Sequence, residues 1–129
     1  MADETDATYE ALMARLGQFA QALAFSLTEM PLSITLPDGI VYLVRDIRPA
    51  LIRAYDLIKE EPIPDSVKVS ATSAVLYWLS AMDMTMIYST TGEHFRADAA
   101  TLHLLAGEIH LYQLIEWAID PESYNPPTS

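Results

Sequence analysis

The chain has 129 residues, with 18 acids against 7 bases, a formal net charge of −11, and 51% apolar residues. That length is enough for a core without metals or staples, that apolar content excludes a disordered chain, and that charge repels nucleic acid and anionic membranes. There is no cysteine, hence no disulfide framework, thiol nucleophile or zinc knuckle.

The start, MADETDATYE, lacks the basic and apolar regions of a secretory signal, so a cytoplasmic protein is expected. Residues 5–28 read as the first helix: Tyr9, Leu12, Leu16, Phe19, Leu23 and Leu27 recur at three- and four-residue steps. Asp3, Glu4 and Asp6 suit the positive end of its dipole. Pro31 pushes Met30 out of the helical region and ends it.

In PLSITLPDGIVYLV the strand formers Ile34, Leu36, Ile40, Tyr42 and Val44 flank the turn residues Pro37, Asp38 and Gly39. This predicts a short β-hairpin over about 32–44. The rival reading is a helix capped by Asp38. A second helix follows, with Asp46 as N-cap, Pro49 in its first turn, and Leu51, Ala54, Tyr55 and Ile58 facing inward.

After EPIPDS, Asp65 is expected to cap a third helix over about 66–89. Residues 69–88 have the length of a membrane span, about 20 residues. Ser70, Thr72, Ser73, Ser80, Asp83 and Thr85 instead indicate a buried central helix and no membrane partner. Gly92 closes the third helix, and a fourth runs over about 95–119. The expected architecture is mainly α: a four-helix bundle-like domain over 1–120 with the hairpin inserted after helix 1. Helices 3 and 4 form a central antiparallel pair, and residues 121–129 form a loose tail.

Helix 4 carries two apolar seams. Ala97, Ala100, Leu104, Leu111, Ile115 and Ala118 make one. Ala99, Ala106, Leu114 and Trp117 make the other, with His103 and His110 in it. A helix apolar on two sides is either central or shared with another chain. A homo-oligomer, most simply a dimer, is therefore expected, with Leu114 and Trp117 among its interaction residues.

Charge adds a second candidate surface. Residues 39–59 hold Arg45, Arg48, Arg53 and Lys59 against two acids, whereas the remainder has three bases against sixteen acids. These four bases are either a solvated face or a ridge that meets an acidic surface, including one on another copy.

Motifs of catalysis are absent. No glycine-rich phosphate loop, HExxH or GxSxG occurs, and no Glu has a His three residues later. His94, His103 and His110 stand nine and seven residues apart, which is not a chelating spacing, so neither metal nor cofactor is expected. Asp83 is the sole charged residue between Val69 and Gly92. It lies as far before Gly92 as His103 lies after it, to within two residues, so a buried Asp83–His103 hydrogen bond is predicted, with Thr85 completing the shell.

Two functions follow. The first is an acidic helical protein–protein interaction module, a subunit, adaptor or inhibitor that acts on a basic partner surface. It includes nucleic-acid mimics of the kind phages and mobile elements make. The alternative is a small-molecule-binding protein or enzyme with a bundle-core site around Asp83, His103, His110 and Tyr77. The lack of motifs favours the first and argues against an enzyme.

Overall fold

The computed structural model of the chain describes residues 4–36 and 47–122. They form four helices: α1 (Glu4–Thr28), α2 (Ile47–Lys59), α3 (Asp65–Thr91) and α4 (His94–Ile119). Their bounds match the predicted ones to within a residue or two at most ends, because Pro31, Pro64, Gly92 and Pro121 punctuate the chain.

No strand occurs among the described residues. The first arm of the predicted hairpin, 32–36, is irregular, and the remainder, with Arg45 and the Asp46 cap, lies outside them. Tertiary ties replace the ladder in this first arm. The Ile34 N–H donates to the Leu27 carbonyl at 3.0 Å, and the Leu32 N–H donates to Oε1 of Glu61 at 2.9 Å. Met30, Ile34 and Leu36 are buried. β-Propensity is mostly a preference for half-buried packing, and here the packing is against helices.

The predicted stripe of α1 is the buried one: Leu12, Leu16, Phe19, Leu23 and Leu27 all lie in the core. α2 buries Ile47, Ala50, Leu51, Ala54 and Ile58. Tyr55 is half-buried and packs against the core, with the Lys59 ammonium 3.9 Å from its ring centre. Asp65 does not cap α3. Pro64 holds the cap position, and Asp65 is the first helical residue, where its charge still faces the positive end of the dipole. Lys68 reaches back to the Lys59 carbonyl at 3.0 Å, satisfying an end group of α2.

α3 is the centre of the bundle. It packs on α1, α2 and α4, and its Trp78 ring is fully buried with Nε1–H donating to the Leu16 carbonyl at 2.9 Å. Gly92 ends α3 at φ 69°, the left-handed region where glycine carries no steric cost, and its N–H donates to Tyr88 O at 2.8 Å. The turn folds α4 back along α3. Ser70 Oγ donates to Gln113 Oε1 at 3.0 Å, and the Tyr77 ring meets His103 and His110. α1 covers both members of this pair, and α2 lies on α3. α4 is thus a flank of the bundle, not a second centre, and among the described residues no helix lies on one of its sides.

Candidate functional site

Two regions bear on function: the polar cluster between α3 and α4, and the outer side of α4. In the cluster, Tyr77 stacks on His110 with ring centres 5.8 Å apart and planes 14° apart, and lies tilted to His103 at 6.1 Å. Gly107 sits between the two histidines. A Cβ there would lie 2.9 Å from Tyr77 Cβ and 3.0 Å from Phe19 Cε2, so the glycine lets α1 and α3 approach together. The Nδ1 atoms of His103 and His110 are buried and bonded to nothing among the described residues.

Asp83 does not join this cluster. Its Oδ1 accepts from the Arg48 guanidinium at 2.9 Å, and both side chains are open to solvent, 49% and 42% exposed. The Thr85 hydroxyl donates to Ala81 O within its own helix, so it does not complete a shell for Asp83. Counting residues from Gly92 placed Asp83 near the height of His103 but left its direction open. Six residues separate Asp83 from Tyr77, which is about 240° around the helix beyond a full turn. Tyr77 faces α4, and Asp83 faces α2. The predicted Asp83–His103 bond is therefore replaced by an ion pair between α2 and α3. A lone acid fits in the most apolar stretch of the chain because that turn of α3 reaches the surface.

The basic ridge is partly neutralised from within. Besides the Arg48–Asp83 pair, Lys59 stands 4.0 Å from Asp56, while Arg53 is exposed. Leu114 and Trp117, expected to face a partner, are buried against the chain's own helices. A shallow cleft of about 350 Å³ between α1 and α4 is lined by Ala7, Thr8, Ala11, Leu12, Arg15 and Thr101, and so by none of the predicted bundle-core residues. Among the described residues no three His, Asp or Glu side chains group to hold a metal ion, and no helix is long and apolar enough to cross a membrane.

The feature that sequence reasoning missed is on the other side of α4. Phe95, Leu102, Leu105, Ile109, Tyr112 and Ile119 are all exposed, Leu102 and Ile109 by 65% and 61%. They fall at three- and four-residue steps, with Asp98 and Glu116 at the two intervening places, so they form one row that winds slowly around the helix. The spacing was legible beforehand. Its exposure was not, because α4 is apolar nearly all round and periodicity cannot say which seam faces in. Isolated apolar residues on a surface are ordinary, but a continuous row is the usual mark of a contact site. Comparison with family models, curated proteins and solved structures yields no match for this chain.

Proposed function

We propose that the chain is an acidic helical protein–protein interaction module, a subunit, adaptor or inhibitor whose contact surface is the outer side of α4. The row of six large apolar side chains left open on that helix carries this reading. In a protein of net charge −11, such a row sets a sticky surface inside a repulsive field.

The field also indicates the kind of foreign partner. Arg15, Arg48, Lys59 and Arg96 are each within ion-pair reach of an acid of the same chain, Glu108, Asp83, Asp56 and Glu93 respectively. The acid surplus is left uncompensated, so a foreign surface drawn to this one is basic, and its binding weakens as salt rises. The bundle-core alternative has less support, since Asp83 lies on the α2 side of α3, away from His103 and His110.

The test is the native size of the tagged chain in gentle lysate, compared with the double variant Leu102→Glu, Ile109→Glu. Both positions are well exposed, so the variant keeps the fold. Wild type is expected in a complex larger than its own mass, and the variant at the mass of one chain. Equal sizes for the two would overturn the proposal.

A further inference from the structure

We infer that the outer row of α4 is covered by a second copy of this chain, docked antiparallel about a two-fold axis that passes between the two α4 helices at the height of Gly107. This rests on the reading of that row as a contact surface and names its occupant.

The register of the row selects this occupant. A two-fold interface must be self-complementary: whatever residue i meets, its equivalent must meet residue i in return. Around Gly107 the row is a palindrome. Leu105 and Ile109 lie two residues to either side, Leu102 and Tyr112 five, Asp98 and Glu116 nine, and Phe95 and Ile119 twelve. Every apolar residue has an apolar mirror, and each of the two acids mirrors the other. Three- and four-residue spacing is that of a coiled-coil seam, in which side chains of facing helices interlock.

Antiparallel docking then sets Leu105 against Ile109 of the second copy, Leu102 against its Tyr112, and Phe95 against its Ile119. Each aromatic ring meets an aliphatic side chain. Parallel docking would instead stack Tyr112 on Tyr112 and Phe95 on Phe95. It would also align the two helix dipoles unfavourably, whereas the antiparallel arrangement opposes them.

Size and charge fix the strength. The row runs from Phe95 to Ile119, a rise of about 36 Å, and a helix is about 10 Å across with its side chains, giving a footprint on the order of 400 Å² per copy. Stable interfaces bury about 800 Å² per partner, so this dimer is weak, forming at micromolar concentration and above. Asp98 faces Glu116 of the second copy in two places, and the copies repel through their net charge as well. Self-association therefore strengthens as salt rises, opposite to the salt response of a basic foreign partner.

The cysteine-free sequence permits a direct test. Sedimentation of the purified chain, from low micromolar to near-millimolar concentration, is expected to show a shift from one to two chain masses. The shift should move to lower concentration in high salt and, several-fold, with Glu116→Gln. Leu102→Glu with Ile109→Glu should abolish it without changing the helical circular dichroism. Leu102→Cys and Tyr112→Cys proteins, made separately, should form a disulfide with each other when mixed. Each alone should not, because the two equivalent positions lie about 15 Å apart along the axis.

A chain that stays single at the highest concentration overturns the inference, as does ready self-linking of each cysteine variant, which marks parallel docking. If the purified chain is single but the glutamate variant still loses a larger complex in lysate, the second copy is refuted and the contact surface stands. If the glutamate variant dimerises like wild type, both fall.

Discussion

At the scale of single residues, magnitudes decide between roles that look alike in the sequence. A buried, hydrogen-bonded Asp83 would be worth several kcal/mol, and its loss would leave a stranded partner. An exposed pair with Arg48 contributes at most about 1 kcal/mol. Asp83→Ala should therefore lower unfolding free energy by less than about 1 kcal/mol in urea titration, and a loss of several would restore a buried role. Gly107 is the opposite case. Alanine would gain about 1 kcal/mol of helix propensity. Its Cβ, however, must fit 2.9 Å from Tyr77 Cβ and 3.0 Å from the Phe19 ring, and the Tyr77 atom is fixed to its backbone and cannot give way. Overpacking of that kind costs roughly 1–3 kcal/mol, so Gly107→Ala should be net destabilising by the same titration.

Elements were legible where the chain is punctuated, and their neighbours were not. Proline and glycine act through local geometry, so the ends of α1, α3 and α4 could be read directly. Gly92 shows the mechanism: at φ 69° with open space around it, Gly92→Ala should cost about 1 kcal/mol from the left-handed backbone alone. Gly92→Asn should recover part of it, since asparagine tolerates that region. The candidate site was half legible. The three- and four-residue rows of α4 are plain in the sequence, but both α3 and α4 carry more apolar residues than one inward stripe needs. Only the packing of α1 on both helices, and of α2 on α3, decides which are covered.

The same limit hid Glu61. Glu60 and Glu61 are adjacent and identical in type, yet Glu61 is 2% exposed and its carboxylate accepts from the Leu32 N–H. Glu61→Ala should cost about 2 kcal/mol, the usual loss for a hydrogen bond to a charged acceptor. Thermal unfolding of the variant alongside Glu60→Ala checks this, since Glu60 is exposed and its loss should leave stability almost unchanged.

At the scale of the whole molecule, a surplus of apolar surface and a surplus of acid coexist because most of the acids lie outside the open row, which holds Asp98 and Glu116. The bundle spends its apolar residues first on α3, which three helices surround, and leaves the outer row of α4 open. Acid charge elsewhere holds the chain apart from anionic surfaces and from unspecific aggregation. On the proposed function, this row is covered by protein at working concentration. The rate at which a thiol reagent labels Ile109→Cys tests it most directly, with Ile52→Cys on exposed α2 as control. In dilute purified protein both should react alike. In concentrated protein or native lysate Ile109→Cys should be protected several-fold, while Ile52→Cys stays fast. Equal and undiminished labelling of the two under every condition would contradict the account.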